Sequence, residues 1–288
     1  MAVGAPYMVA VAALGMVMAL LSRRIILCVM AVVVLALSAG VQLRWYYGGT
    51  ETAAGEHVEV RVLSSNLRYG RADADEFVAL AGSAADVVTV TELTPEAVRK
   101  FHLAGISDIF PYSILFPAPQ ASGNGIWSRY PLSPVSPTRY WNSAMVAARM
   151  QVNGLSSEVV VASVHVTSPL RSFDSWRNAI VATRSRLVGL ADATESGTVI
   201  VAGDFNSTPD MRQFRDLLGH GYRDSVQQLG AGFAPTFPSN SSVPPMITID
   251  HVLTRRAEAG VLQAVTLSGT DHRALLATVR IPTNKATA

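Results

Sequence analysis

Side chains that can bind a metal ion, hold a phosphate oxygen or move a proton follow six apolar segments of this sequence. Each stands where an apolar run stops, as in VLSSN, VTVTE, VASVH, VIVAGDFN, ITID and GTDH. One such ending is common in a solvated loop, but six endings made only of Asn, Glu, His and Asp predict a shared site. Carboxylate and amide oxygens suit a divalent metal, and imidazole and carboxylate groups suit proton transfer. The residues are Asn66, Glu92, His165, Asp204 with Asn206, Asp250, and Asp271 with His272.

The densest part of this pattern is the segment 199–210, VIVAGDFNSTPD. Its first four residues predict a buried strand, and Gly203 would let the backbone pass close to a neighbour. Asp204 and Asn206 stand two apart, so both point the same way from an extended chain while Phe205 turns into the core. The alternative interpretation is an Asx turn that joins a strand to a helix without any chemistry.

Strands and helices alternate from residue 58 onward, which is typical of an α/β domain. Period-two alternation and short apolar runs predict strands at residues 58–66, 86–92, 112–116, 125–128, 145–152, 158–166, 199–202, 247–253, 261–267 and 274–281. Amphipathic runs predict helices at residues 74–82, 94–104 and 172–191 and from Pro209 onward. The segment 230–245 is rich in Gly, Pro and Ser and predicts a long loop beside a site.

The formal net charge of +2 arises in the N-terminal region and not from a basic binding face. Residues 1–48 hold three of the 23 basic residues and none of the 21 acidic ones. The rest of the chain is therefore close to neutral, which disfavours nonspecific binding of duplex nucleic acid. The single cysteine, Cys28, also lies in the apolar region, so the polar part of the chain would tolerate an oxidising compartment.

Two apolar runs, at residues 6–21 and 25–43, lie on either side of Arg23 and Arg24. The second run is long enough to span a bilayer as a helix, which takes about 20 residues. The first could span, lie in the interface or form a tight hairpin. A cleaved signal peptide is the alternative interpretation of the whole region. The arginine pair favours the cytoplasmic side, which puts the chain after residue 43 outside the cell membrane.

The predicted organisation is a membrane anchor at residues 1–48, a polar tether at 49–57 and a catalytic domain at 58–288. The anchor would contain one or two transmembrane helices. Its outer end would carry an aromatic belt at the membrane interface, formed by Trp45, Tyr46 and Tyr47.

The ordered set of motifs resembles the endonuclease/exonuclease/phosphatase superfamily, which includes DNase I, apurinic endonucleases, inositol-polyphosphate phosphatases and neutral sphingomyelinases. The resemblance covers about residues 58–281. Its elements, in order, are SSNLR, VTE, GNGIWSRYPL, SVHV, GDFNSTPD, TIDHVL and TDHRALLATV. It implies an α/β fold, a DNase I-like two-sheet sandwich with four layers, and a site where strand ends of both sheets converge.

The resemblance also implies a role for each site residue in Mg²⁺-dependent phosphoester hydrolysis, with Mn²⁺ as the alternative metal. Glu92 would be the main metal ligand, with Asn66 and Asp271 near it. Asp204 would orient or deprotonate the attacking water. The phosphate would be held by Asn206, His165 and His272, with His272 oriented by Asp250. Arg68 stands where related nucleases can carry an acidic metal ligand, and its guanidinium is expected to meet a phosphate instead.

The resemblance does not fix the substrate. An anchored domain on the outer face suits a lipid-linked phosphate or pyrophosphate of the cell envelope, and the architecture is similar to VanJ-type glycopeptide-resistance membrane proteins. Three alternatives stay open: a sphingomyelinase-like phospholipid phosphodiesterase, an external nuclease, and a binding module on the same fold without catalysis. The lipid bilayer is thus an expected partner, and nucleic acid a less favoured one.

Overall fold

The computed structural model of the protein describes residues 2–50, 55–135 and 143–283. The strands are β1 (His57–Asn66), β2 (Val87–Thr91), β3 (Tyr112–Phe116), β4 (Asn124–Ser128), β5 (Leu132–Val135), β6 (Ser143–Met150), β7 (Val159–Val166), β8 (Val199–Asp204), β9 (Tyr222–Asp224), β10 (Asp250–Arg255), β11 (Glu258–Thr266) and β12 (Arg273–Pro282). The helices are α1 (Met8–Leu21), α2 (Ile25–Tyr47), α3 (Ala74–Ala84), α4 (Pro95–Leu103), α5 (Ile106–Ile109), α6 (Phe173–Ala191), α7 (Arg212–Arg215) and α8 (Ser225–Leu229).

The described strands form two six-stranded mixed sheets. The first has the order β11-β12-β1-β2-β4-β3 and the second the order β5-β6-β7-β8-β10-β9. The parallel pairs β1–β2 and β7–β8 lie inside the two sheets. Because parallel strands end at the same edge, the residues that follow each pair emerge together.

The two sheets pack face to face through apolar side chains, and helices cover their outer faces. The central core joins Val62 and Val87 of the first sheet to Val161 and Ile200 of the second. The helices α3 and α4 cover the outside of the first sheet, and α6 covers the outside of the second. This four-layer arrangement confirms the predicted two-sheet α/β sandwich. It also explains why the ends of β1 and β8 are buried on both faces, since each sheet is covered on both sides.

The two N-terminal helices form an antiparallel pair outside the sandwich. Segments Gly4–Ser22 and Ile25–Tyr47 are long and apolar enough to cross a membrane, and few of their residues are buried in the protein. An all-round apolar helix that is not buried in protein is what a lipid environment favours. The helix α2 extends four residues beyond the predicted end of its apolar run, to Tyr47.

The domain-side end of this helix pair packs against the sandwich. Tyr46 is buried, its ring lies edge-to-face with Phe233 at 5.5 Å, and its carbonyl accepts the Gly232 N–H at 2.8 Å. Tyr46 therefore does not belong to a lipid-facing aromatic belt, because the domain covers it; Tyr47 is the exposed aromatic residue there. Thr50, in the predicted tether, donates its N–H to the carbonyl of Gln228.

The structure corrects the sequence-based elements mainly where they are short. The helix expected from Pro209 begins later, at Arg212, and soon tightens into a 3₁₀ turn, Asp216–Leu218. The elements β5, β9, α5 and α8 have three to five residues each, too few for a periodic signal. The predicted domain boundaries stay a prediction, and residues 51–54, 136–142 and 284–288 within them lie outside the described residues.

One ion pair ties β1 to the chain segment that enters β2 and gives a pH-dependent stability prediction. Asp86 accepts hydrogen bonds from two side-chain nitrogens of Arg61, Nε at 3.0 Å and Nη2 at 2.6 Å, and from the Arg61 backbone N–H. Burial alone would raise the pKa of Asp86, but the hydrogen bonds from Arg61 outweigh it and lower that pKa. The pair therefore stabilises the fold at neutral pH.

We expect Asp86→Asn to lower the free energy of unfolding by about 1–2 kcal/mol at pH 7, since the half-exposed guanidinium is screened by solvent. A lowered folded-state pKa means that the contribution is complete above the unfolded pKa of about 4 and is lost as the pH falls below it. Urea unfolding of the full chain in detergent at pH 7 and pH 3 measures this. An equal difference between the two proteins at both pH values would contradict the assignment.

Candidate active site

Strand register brings three of the predicted site residues into one row. His165 of β7 pairs with Asp204 of β8, and Asp204 pairs with Asp250 of β10. Because residues that face each other across neighbouring strands point to the same side of the sheet, the three side chains project together. All three are buried.

Gly203 and Phe205 fix the direction of Asp204. A Cβ atom at Gly203 would lie 2.0 Å from the Val164 carbonyl oxygen, and the residue has a φ of +150°, so only glycine fits between the strands. The Phe205 side chain is fully buried and packs edge-to-face against Phe214. These contacts agree with the expected close approach of the backbone at Gly203 and with the inward direction of Phe205. The chain is not extended through Asn206, because β8 ends at Asp204 and Asn206 has a φ of +46°. An Asx turn is also present, since Asp204 Oδ1 accepts the Asn206 N–H at 2.7 Å.

The first sheet contributes residues that reach across to Asp204. Asn66, the last residue of β1, donates its side-chain amide to Asp204 Oδ2 at 3.0 Å and to Glu92 Oε1 at 3.2 Å. Glu92 follows β2, and its other oxygen accepts the Tyr69 N–H at 2.7 Å. The strand ends of the two sheets therefore converge on one cluster of side chains.

Two imidazoles face the same oxygen of Asp204. Nδ1 of His165 donates to the Ala121 carbonyl at 2.9 Å, which directs Nε2 towards Asp204 Oδ2 at 3.7 Å and Glu92 Oε1 at 3.8 Å. Nε2 of His272 lies 3.9 Å from Asp204 Oδ2. A group bound between these nitrogens would be within reach of both imidazoles and the carboxylate.

Asp250 orients His272 and changes its proton affinity. Nδ1 of His272 donates to Asp250 Oδ2 at 2.8 Å. Burial favours the neutral ring, but the Asp250 carboxylate outweighs it and raises the pKa of His272 to about 10. Burial and the charge of Asp250 raise the pKa of Asp204 to about 6, against the opposing effect of the two histidines. These pKa values favour an ionised Asp204 carboxylate beside a protonated His272 imidazole at pH 7.

The residues near Glu92 fit a hard divalent cation. Each Glu92 oxygen accepts one hydrogen bond, which leaves a lone pair free. The Asn66 amide nitrogen faces Glu92 and Asp204, whereas Asn66 Oδ1 accepts the Arg68 N–H at 2.8 Å, so the metal role of Asn66 stays a prediction. Mg²⁺ is commonly held by one or two carboxylates together with water and substrate phosphate. Ligand atoms of Asp204, Asp250 and His272 also lie within 4.8 Å of one another. In that second set Nδ1 of His272 already bonds Asp250, so the oxygens at Glu92 suit Mg²⁺ better.

Three predicted site residues make contacts that their proposed roles did not anticipate. Asp271 Oδ2 lies 3.5 Å from Arg68 Nε, so a potential metal ligand and a potential phosphate-binding cation form an ion pair. The amide nitrogen of Asn206 donates to the Val166 carbonyl at 2.8 Å and to Asp204 Oδ2 at 3.1 Å. The metal role of Asp271 and the phosphate roles of Arg68 and Asn206 stay predictions.

Backbone strain is concentrated in this cluster. Eight non-glycine residues of the described chain have a positive φ, and four of them belong to or adjoin the site. Such conformations cost of order 1–3 kcal/mol each and persist where the surroundings impose them. The four residues are Arg68, Tyr69, Glu92 and Asn206.

Sequence reasoning missed residues that position the site from neighbouring loops. Thr270 donates its hydroxyl to the Asn66 carbonyl at 2.7 Å and accepts the His272 N–H at 3.2 Å. The hydroxyl of Thr236 accepts the Asp250 N–H at 3.3 Å, and the Phe237 ring lies 5.0 Å from the His272 ring. Thr270 stands within the TDH motif and could have been noticed. Thr236 and Phe237 lie in the segment 230–245, which was expected to be a loop beside a site, but nothing in the sequence distinguishes these two residues from the rest of that loop.

His251 also belongs to a buried pair but lies outside the cluster. Its Nδ1 donates to Asp224 Oδ2 at 2.7 Å and its Nε2 to the Ser207 carbonyl at 2.9 Å, so both ring nitrogens are used inside the protein. Burial opposes protonation, but Asp224 outweighs it and raises the pKa of His251. These contacts give His251 a structural role inside the domain.

The family comparison agrees with this geometry. The family model described as the Endonuclease/Exonuclease/phosphatase family matches residues 63–272. The chain belongs to this family. Members of the endonuclease/exonuclease/phosphatase family are hydrolases of phosphoester bonds, and the chain carries such a domain behind two apolar helices. Among curated proteins, none matches the chain by sequence.

Solved structures of family members share the fold. A Bacteroides thetaiotaomicron endonuclease/exonuclease/phosphatase family protein superimposes with a TM-score of 0.62 at 12% identity, over 78% of this chain and 99% of that one. TDP2 of D. rerio, solved with a single strand DNA product, gives 0.60 at 19% identity over 77% and 98%. The human Nocturnin catalytic domain with bound sulfate gives 0.60 at 14% over 78% and 96%. At these identities the likeness establishes the DNase I-like fold alone.

Proposed function

We propose that this protein is a membrane-anchored, Mg²⁺-dependent phosphohydrolase with its catalytic domain on the extracytoplasmic side. Its substrate would be a lipid-linked phosphate or pyrophosphate of the cell envelope, the class proposed for the VanJ-type proteins that the architecture resembles. The observation that carries the proposal is that Asp204 Oδ2 lies within 4 Å of two imidazole nitrogens, beside a Glu–Asn pair. The apolar helix pair joined to the domain supports a substrate held in a bilayer.

The chain's own residues support an in-line displacement at phosphorus. Asp204 would orient a water and accept its proton while the water oxygen forms a bond to phosphorus. The bond from phosphorus to the leaving oxygen would break at the same time. His272, held by Asp250, and His165 would donate hydrogen bonds to the phosphoryl oxygens, on which negative charge increases in the transition state. Glu92 and Asn66, with Asp271, would hold Mg²⁺, which supplies electrostatic stabilisation of that charge when bound.

The test is turnover by the full-length protein in nanodiscs, with Mg²⁺ or with EDTA. The substrates are undecaprenyl pyrophosphate, sphingomyelin, plasmid DNA and bis-p-nitrophenyl phosphate. We expect metal-dependent hydrolysis that is lost in EDTA, restored by Mg²⁺, and fastest on the lipid pyrophosphate. Preference for sphingomyelin would favour the phosphodiesterase, and preference for DNA would favour an external nuclease. If no substrate is hydrolysed and Mg²⁺ does not bind, the protein is a non-catalytic module.

Replacing Glu92 separates metal binding from folding. We expect Glu92→Gln to weaken the apparent affinity for Mg²⁺ by at least about tenfold, because a neutral amide replaces the charged ligand. Glu96→Gln is the matched control, since Glu96 is an exposed carboxylate on α4 that pairs with Lys100. Isothermal titration with Mg²⁺ measures both variants. Equal affinities would remove Glu92 from the metal site.

A further inference from the structure

The apolar helix pair meets the sandwich beside the active site and not at a remote face. Tyr7 donates its hydroxyl to the Met246 carbonyl at 2.5 Å. Gln42 of α2 donates to Asp210 Oδ1 at 3.2 Å, and Asp210 ends the segment that carries Asp204. The Phe233 ring lies edge-to-face with the rings of both Tyr7 and Tyr46.

The contacts between the helix pair and the sandwich lie inside the bilayer's hydrocarbon core, on the membrane side of its expected outer boundary. Arg23 and Arg24 mark the cytoplasmic boundary, and α2 begins directly after them. At about 1.5 Å per residue, Gln42 lies roughly 26 Å from the start of α2, and Tyr7 lies about 21 Å from the end of α1. The hydrocarbon core is about 30 Å thick. A tilt of the helices brings Gln42 and Tyr7 still closer to the cytoplasmic boundary. The parts of the domain that touch Gln42 and Tyr7 must therefore dip into the outer leaflet.

The loop at this position has a composition that suits immersion. Residues 237–247 form a loop closed by backbone hydrogen bonds between Phe237 and Ile247, called here the 237–247 loop. The surrounding segment 230–249 contains no charged residue, although charged residues make up 15% of the chain. The side chains of Val243 and Met246 are 49% and 39% exposed. Exposed apolar residues on a charge-free loop beside membrane helices favour contact with lipid.

The same loop forms part of the wall of the active site. Phe237 packs against the ring of His272, and Ser239 donates its N–H to the Asp271 carbonyl at 2.8 Å. The loop therefore runs from the catalytic imidazole to the start of the first membrane helix. Any contact between this loop and lipid sets the height of the site above the bilayer.

We propose that the 237–247 loop is immersed in the outer leaflet and holds the mouth of the site at the level of the lipid headgroups. The occupant of this surface is the bilayer itself. The inference rests on the proposed function and deepens it, because a site at that height receives the phosphate of a lipid that stays in the membrane. Substrates that must diffuse from bulk water gain nothing from this arrangement.

A spin-label depth measurement tests the immersion without any use of catalysis. The full-length Cys28→Ala protein in phosphatidylglycerol/phosphatidylethanolamine nanodiscs would carry a nitroxide at Val243→Cys or, as a second position, Ser242→Cys. Leu103→Cys is the control, since Leu103 is 88% exposed at the end of α4, a helix that covers the outside of the first sheet. We expect the loop labels to be relaxed by oxygen and protected from a water-soluble nickel chelate, and the Leu103 label to behave oppositely. Equal nickel accessibility at 243, 242 and 103 would overturn the proposal.

A charge on the loop tests whether immersion serves lipid turnover. We expect Val243→Asp to lower the ratio of lipid pyrophosphate to bis-p-nitrophenyl phosphate turnover by at least about tenfold, because a carboxylate is expelled from lipid. Leu103→Asp should leave the ratio unchanged. Immersed labels in a protein that hydrolyses no phosphoester would overturn the proposed function alone. Active protein with water-accessible loop labels would overturn the immersion alone.

Discussion

Asp204→Asn is expected to lower the turnover of every phosphoester substrate by about 10²–10⁴-fold, the range of a lost general base. The amide keeps the size and one acceptor oxygen of the side chain but cannot take a proton from water. Both histidines and Asn66 face the same Asp204 oxygen. The substitution therefore removes the negative charge at the centre of the site. Single-turnover kinetics on bis-p-nitrophenyl phosphate measure the chemical step.

Asp86→Asn is the matched control, because it makes the same change at a partly buried carboxylate whose partners are Arg61 and Arg129. We expect Asp86→Asn to lose stability but to keep the turnover of the folded protein within about twofold, since its contacts lie outside the catalytic cluster. Asp204→Asn should instead keep its melting temperature near that of the parent protein, or raise it, because a buried carboxylate next to Asp250 is removed. Asp204→Asn with undiminished single-turnover rates would remove Asp204 from catalysis.

Much of the site could be predicted because its residues follow strands whose apolar pattern is strong. Alternation and short apolar runs located β1, β2, β7 and β8, and the polar residue after each run then had to emerge at one edge. The two-residue spacing of Asp204 and Asn206 also gave the inward direction of Phe205. Local pattern is sufficient in these cases, since a strand's ends and faces depend on a few neighbouring residues.

The parts that could not be predicted depend on contacts between distant segments. Nothing near Gln42 in the sequence indicates that its amide bonds Asp210. The sequence predicts Tyr46 as an aromatic residue at the membrane interface, whereas in the structure its ring packs against Phe233. The pairing of Asp271 with Arg68 likewise arises from the turn after β1. Such contacts are fixed by tertiary packing, which carries no periodic signal in one sequence.

The second large effect is expected for His272→Gln, which should lower turnover by about 10²–10³-fold, the cost of one donor that stabilises transition-state charge. The glutamine amide can still bond Asp250, but it carries no positive charge and cannot reproduce the direction of Nε2 towards Asp204. The loss should be larger in the rate of the chemical step than in substrate affinity, because the donor acts on charge that develops during the reaction.

His251→Gln is the control that makes this result specific. His251 is also a buried imidazole hydrogen-bonded to a carboxylate, one residue after Asp250, but both of its nitrogens are used by Asp224 and Ser207. Breaking this pair is expected to cost roughly 3 kcal/mol of stability, while the folded protein keeps its single-turnover rate. Thermal unfolding and single-turnover rates measured on both variants separate the two roles. If both variants lose stability and rate in the same proportion, His272 acts through packing, and its proposed hydrogen bond to a phosphoryl oxygen is contradicted.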